Sequence, residues 1–203
     1  GYDRAGGGGG GGGLVKVDNI RLRKGNYSVA IGGGGLGQRP TSSSYGQNGT
    51  NSSFSISGGD DILVAYGGGG GVMESPLPAA DGGSGGGSYS FPSPTRGEKA
   101  GYGLLGQGNP GVSYGNMGYN PNNEGYSVGG GGGGAGSIGG SYNVHQPAPG
   151  PYGIGLRGGG GGSGRSVPEF RGPYLSGYVP TIPPYSLSVI GPTGRYAGGG
   201  GGG

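Results

Sequence analysis

The sequence predicts an irregular, all-β-like fold: a packed bundle of polyglycine type II helices with short β-strands and long Tyr/Pro-rich loops, and no α-helix. Three observations lead there. Of 203 residues, 66 are Gly and 16 are Pro, far above an average combined usage of about 12%. The glycines gather in tracts at 6–13, 32–35, 67–71, 82–87 (interrupted by Ser84), 129–134, 158–162 and 198–203. No window holds an apolar i, i+3, i+4 stripe free of Gly and Pro, as a helix would need.

Composition removes several classes. The glycines lack the every-third-residue register of collagen. Leu, Ile, Val and Phe together fall below the ~20% that marks a chain able to build an apolar core, so a conventional bundle or α/β domain is not expected. Disorder is the default for such a composition, yet the net charge is only +3 and charged residues are 10%. No self-repulsion holds the chain open. Ordering it has to offset a backbone entropy of ~1–2 kcal/mol per residue. There is no Cys, so disulfides and thiolate metal sites are excluded. The longest apolar stretch, 62–66, is too short to cross a bilayer, and no membrane insertion is expected. The sequence begins at Gly1 without an apolar leader and stops inside a Gly run, which suggests a fragment of a longer polypeptide. A pI near 9.1 on so few charges points only weakly to an acidic partner.

Most tracts are reached through a short apolar or aromatic lead-in: 28–31, 63–66, 126–128, 154–157 and 195–197. Flexible linkers need none; strands that cap or flank a packed glycine layer do. Val15 and Val17 alternate with polar neighbours, then Ile20 and Leu22, then Tyr27, Val29 and Ile31. Period-two alternation around Gly25-Asn26 predicts a β-hairpin. Phe54 and Ile56 start a further strand, followed by a turn at Gly58-Gly59-Asp60 and a strand over 62–66. From residue 88 the spacers lengthen and fill with Tyr, Pro, Asn and Ser. The reading is a scaffold over 1–87 and a loop-bearing scaffold over 88–203, forming one continuous unit.

A glycine tract can adopt a polyproline-II-like helix with three residues per turn and ~3.1 Å rise. Alone it makes no internal hydrogen bond. Packed side by side, such helices share N–H···O bonds laterally, supplemented by Cα–H···O contacts. Tract 6–13 would span about 25 Å. Gly8, Gly10, Gly33, Gly69, Gly131, Gly160 and Gly200 are the expected scaffold positions, where a Cβ would push neighbours apart. The competing reading is flexible spacers or surface loops.

Segments 25–35, 48–54 and 63–71 resemble the glycine-rich domain of phage tail fibres. That family carries a G-x-Y-x-V-x-V-G-x-G-G strand, a G-x-N-S-S-F element and an apolar strand running into a Gly run. Here they stand as Gly25 to Gly35, as Gly49-Thr50-Asn51-Ser52-Ser53-Phe54, and as Leu63-Val64-Ala65-Tyr66 before five glycines. Segments 132–140 and 188–197 fit as well, so the likeness covers most of the chain. It implies a layered polyglycine-II bundle like the distal adhesins of T-even-like phage long tail fibres, with loops between tracts contacting the host surface. The Pro- and Tyr-rich spacers after residue 88 depart from the family, and serve either receptor binding or the lacing of subunits.

Site expectations follow. Tyr102, Tyr114, Tyr119, Tyr142, Tyr152, Tyr174, Tyr178 and Tyr185 lie in the long spacers with Tyr126 and the sole histidine, His145. Tyr offers an apolar face and a polar tip at low entropic cost, which suits protein or glycan recognition; equally, the rings could cover the edges of the bundle. His145 has no Cys partner and no distinctive Ser context, so catalysis is not expected. Asp60-Asp61 is too few oxygens for a cation site. Gly runs match dinucleotide fingerprints trivially and lack strand–turn–helix context. No cofactor or metal is expected. Asn26, Asn48 and Asn51 head N-glycosylation patterns, silent in a phage or bacterial product.

The leading expectation is therefore a structural, non-enzymatic tail-fibre adhesin in the virion, outside the cell. Its partners are other copies or fibre subunits and a host-surface protein or glycan. The alternative is a self-assembling filament subunit with no receptor role. Ser44-Tyr45-Gly46-Gln47 and the lone Arg157-Gly158-Gly159 are similar to RNA-binding low-complexity segments, but nucleic acid is not an expected partner. An ice-binding face is not expected either, because the spacers are irregular.

Overall fold

A glycine tract has no side chain to bury, so its cohesion must come from its amides. The computed structural model describes residues 6–37, 44–73, 78–90, 101, 103, 112–114, 128–140, 143–145, 155–157, 159–170 and 195–201. Among the described residues no α-helix occurs; the helical element is a 3-10 turn, Pro168–Phe170. Few apolar side chains are buried: Val72, Ala79, Ala135 and Val167. By contrast, all of 82–88 and 129–135 are buried. The interior is main chain.

Tract 6–13 shows how it is held. The N–H groups of Gly7, Gly10 and Gly13 donate to the carbonyls of Val72, Gly69 and Tyr66 at 2.9, 2.8 and 2.7 Å. Those of Gly8 and Gly11 donate to Gly130 and Gly133, each at 2.9 Å. The carbonyls of Gly8 and Gly11 accept from Gly87 and Ser84, and that of Gly9 accepts from Gly200. Each neighbour is met at every third residue, the period of a helix with three residues per turn. Tract 129–136 repeats the rule more fully. Successive N–H groups from 130 to 136 donate to Ser88, Gly140, Gly200, Gly85, Ser137, Ala197 and Ser163. From 130 to 135 the donors thus rotate among the segments 85–88, 137–140 and 197–200, and Gly136 breaks the rotation by turning to 159–163. The bonds Gly8–Gly130, Gly11–Gly133 and Gly133–Gly85 join the first part of the chain to the second.

Register fixes direction. Segments 6–13, 46–51, 129–135 and 159–163 run one way; 32–36, 66–72, 82–88, 137–140 and 197–200 run back. Strands extend from their ends: β1 (Leu14–Lys16), β2 (Tyr27–Ala30), β3 (Ser44–Tyr45), β4 (Ser52–Ile56), β5 (Asp61–Ala65), β6 (Val72–Met73), β7 (Tyr89–Ser90), β8 (Val112–Tyr114), β9 (Val128–Gly129), β10 (Asn143–His145), β11 (Gly155–Arg157), β12 (Arg165–Ser166) and β13 (Arg195–Tyr196). All pair antiparallel. The pairs β1–β8 and β12–β13 and the sheet β2–β4–β5 sit at the end where Gly13 lies; β3–β6, β7–β9 and β10–β11 sit at the end where Gly6 lies. The apolar lead-ins are therefore strand pairs that close the bundle at both ends.

The turn expected at Gly58–Asp60 joins β4 to β5, with Gly58 at φ 77°, a left-handed conformation that Gly adopts without a Cβ penalty. The hairpin expected around Gly25-Asn26 does not form. Residues 20–22 are not strand, and β2 pairs with β4, Val29 facing Phe54. The reason lies in the bundle. Tract 32–36 and segment 46–51 are already hydrogen-bonded side by side through Thr50 to Gly33 and Gln47 to Leu36. The strands extending from them, β2 and β4, are delivered as neighbours. Tyr27 stacks on Phe54 across this pair, ring centroids 5.3 Å apart, and its hydroxyl donates to the Arg23 carbonyl. Val29 and Ile31 are not core: they are 70% and 88% exposed.

Segment 46–51, Gly-Gln-Asn-Gly-Thr-Asn, joins the bundle despite its side chains. Gly46 and Gly49 donate to Gly71 and Gly68. Asn48 and Asn51, also three apart, accept through Oδ1 from the N–H groups of Gly70 (2.8 Å) and Gly67 (3.0 Å). Thr50 Oγ1 accepts from Gly33 N–H and Ser52 Oγ from Gly32 N–H. Two sequon asparagines thus stand in for backbone carbonyls. Ser84 is the reverse case: wholly buried, its hydroxyl finds no partner among the described residues, which costs about 1–3 kcal/mol.

A Cβ is not barred everywhere. On Gly10 it would strike the Ser84 carbonyl, and on Gly11 it would lie 2.6 Å from the Ala197 carbonyl, both main chain. On Gly9 and Gly12 the nearest atoms are 3.8 and 3.7 Å away. Gly33 meets only Thr50 Oγ1, at 3.9 Å, and Gly160 meets nothing within 4 Å. Two predictions follow for thermal unfolding. Gly9→Ala and Gly12→Ala should raise stability by about 0.4–1 kcal/mol through the unfolded chain, while Gly10→Ala and Gly11→Ala should lower it by about 1–3 kcal/mol; equal effects at all four positions would contradict the ladder. Asn51→Ala should cost about 1–3 kcal/mol by orphaning the Gly67 N–H, measured the same way, with Asn48→Ala acting likewise on Gly70.

Candidate functional site

At the Gly13 end the strands leave a cleft of about 490 Å³, within the size range of ligand sites. Its apolar wall comes from Leu14 and Val15 of β1, Val17, Ile20 and Leu63 of β5. The opposite side is Val167, buried beside the 3-10 turn, and Tyr196 of β13. These elements converge because tracts 6–13, 66–72, 159–163 and 197–200 all end or begin there. The cleft is built by the bundle rather than by an apolar core.

Its rim is charged. Lys16 Nζ donates to Glu169 Oε1 at 2.9 Å and lies 3.6 Å from Asp18 Oδ1. The hydrogen bond to Glu169, aided by the nearby Asp18 charge and opposed by partial desolvation, raises the Lys16 pKa above its ordinary 10.5. Burial raises the Tyr196 phenol above 10.0, so its hydroxyl stays protonated at neutral pH. The lining thus combines an apolar wall, a phenol and a mixed-sign rim.

The spacer residues distribute unevenly around this cleft. Tyr114 lies on β8, opposite Leu14 of β1, so its strand is the hydrogen-bonded neighbour of β1. His145 lies on β10, opposite Gly155, at the other end of the bundle. Tyr102, Tyr119, Tyr142, Tyr152, Tyr174, Tyr178 and Tyr185 lie outside the described residues, as does Tyr126. In the sequence, Tyr174, Tyr178 and Tyr185 belong to the connection between β12 and β13, which flank the cleft. Among the scaffold glycines, Gly8, Gly10, Gly69, Gly131 and Gly200 donate to tract carbonyls, and Gly33 and Gly160 accept from Thr50 and Gly140. Lys16, Glu169 and Tyr196 had no signal in the sequence: the ion pair spans 153 positions. Among the described residues no group of three His, Asp or Glu side chains could hold a metal ion, and no helix is long and apolar enough to cross a membrane.

The raised Lys16 pKa fixes a sign. While Glu169 is ionised, pairing favours the folded chain fully below 10.5, and that contribution is lost as pH climbs through the higher folded value of Lys16. An NMR titration of Lys16 Nζ should therefore show deprotonation above 10.5, moving down in Glu169→Gln; an unchanged midpoint in that variant would exclude the pair in solution.

Comparison with known proteins gives one result. No curated protein and no solved structure matches. A family model described as a glycine-rich domain matches residues 1–203. The match runs the full length of the sequence, tracts and spacers together, and the chain belongs to this glycine-rich domain family.

Proposed function

We propose that the chain is a polyglycine-II domain of a phage tail fibre, and that it attaches the particle to a host-cell surface through the connections displayed at its ends. The observation that carries this reading is the three-residue ladder. It turns glycine tracts into a stiff rod of mixed direction, with the strand-bearing connections leaving at its two ends while 78–81, 101 and 103 lie along its side. A fibre tip needs that combination, a rigid shaft and loops free to vary. The order of strand, Phe54 element and glycine tract, which resembles the tail-fibre family, supports it. So does the end cleft of Lys16, Glu169 and Tyr196, because the strands flanking it, β12 and β13, bound the Tyr-bearing stretch of the sequence.

In this reading the chain is structural and adhesive rather than catalytic, takes no cofactor, and works on the virion outside the cell. Its cleft suits a surface glycan or an extended peptide. The filament reading is favoured by a separate observation, the exposed edge of tract 32–37, and concerns how copies join rather than what they bind.

The test is binding of the purified, labelled protein to a panel of bacterial cells. Saturable binding to some strains is expected. Replacing the connection 171–194 by a short Gly-Ser linker should abolish it while leaving the thermal unfolding transition in place. Binding to no strain, or full binding after the replacement, would overturn the attachment role.

A further inference from the structure

The bundle is incomplete on one side. A groove of about 630 Å³ runs along it, walled by tracts 6–13 and 32–37 and floored by 66–72 and segment 46–50. Its lining is mostly glycine, and the main chain there has unused bonding capacity in rows.

In tract 66–72, the N–H groups of Gly67, Gly69, Gly70 and Val72 all donate. Those of Gly68 and Gly71, three apart, donate to no partner among the described residues. In tract 6–13, the carbonyls of Gly8, Gly9 and Gly11 accept. Those of Gly7 and Gly10, again three apart, accept no N–H among the described residues. The two rows adjoin: a Cβ on Gly71 would strike the Gly7 carbonyl, and one on Gly68 the Gly10 carbonyl. Tract 6–13 is otherwise held by 84–87, 130–133 and 200, and the N–H groups of Gly9 and Gly12, which also line the groove, likewise donate to no partner among the described residues. A row of donors and a row of acceptors, both at the period of the bundle, thus line one open position.

We infer that this groove receives a glycine tract from a second copy of the chain. The required strand must present carbonyls to Gly68 and Gly71 and N–H groups to Gly7 and Gly10, at three-residue spacing. A Pro-rich strand offers the carbonyls but not the N–H groups. A strand with Cβ atoms facing the tracts meets main chain. Glycine meets both demands.

The chain also carries a strand that fits. Tract 32–37 is bonded to the bundle only through segment 46–52 among the described residues. A Cβ on Gly34 or Gly37 meets nothing within 4 Å. Around it stand Val29, Ile31 and Leu36, at 70%, 88% and 69% exposure the most open of the large apolar side chains. Six residues at ~3.1 Å per residue give about 19 Å, shorter than the wall formed by tract 6–13. Groove and exposed strand on one molecule are self-complementary, the requirement for a symmetric dimer in which each copy lends its edge to the other. The inference rests on the backbone ladders and not on the attachment reading, so the two fail separately.

The experiment is sedimentation velocity on the whole chain and on Gly12→Leu. Gly12 lines the groove and has room for a Cβ, so the leucine fills the groove without entering the bundle. The wild type should form a dimer that Gly12→Leu loses, with the unfolding transition retained. Should Gly12→Leu fail to fold, Gly34→Leu, on the inserted edge, should give the same loss. The chain has no cysteine, so mixing Gly9→Cys with Gly34→Cys under oxidising conditions should yield a disulfide heterodimer. A wild type that stays monomeric, or a dimer indifferent to both leucines with no cross-link, overturns the inference.

Discussion

The lateral N–H···O bond between side-chain-free backbones is the constraint on which this structure depends. A net gain of about 0.5–1.5 kcal/mol per bond is modest, but here most tract residues make one, and the bonds occur where no oily interior exists. The three-residue period does the rest. It aims successive amides at different neighbours, so one tract is fixed from several sides at once. Residues 130–135, donating in rotation to three segments, are the clearest instance.

That constraint orders everything else. Strands form at the tract ends because adjacent tracts deliver their extensions side by side, which is why β2 meets β4 rather than a nearer segment. Side chains enter the bundle only where they imitate backbone, as Asn48 and Asn51 do, or where the lattice leaves space. The end cleft is a by-product of the same lattice: four tracts bring their flanking residues to one place, and Lys16, Glu169 and Tyr196 meet there across most of the chain's length.

Part of this was legible in the sequence. The tracts, their apolar lead-ins, the β4–β5 turn at Gly58 and the lack of α-helix among the described residues follow from composition and period. The Gly-Gln-Asn-Gly-Thr-Asn triplets could have been read too, since asparagine every third residue beside a glycine tract is a backbone mimic waiting for a partner; reading Asn48 and Asn51 as sequons passed over it. Register was not legible. Gly7 and Gly8 are chemically identical, yet one bonds to Val72 and the other to Gly130, and only the folded lattice distinguishes them. The Lys16–Glu169 pair was hidden for the same reason, being set by which tracts end together.

A main-chain interior has a calorimetric consequence. Unfolding an ordinary domain exposes mostly hydrocarbon, whose hydration raises the heat capacity, whereas exposing peptide groups lowers it. With so few apolar side chains buried among the described residues, this molecule's denaturation should bring an unusually small heat-capacity increment. Its free energy of unfolding then varies gently with temperature, a flat curve rather than a narrow dome, so cold weakens it far less than it weakens a protein held together by oil.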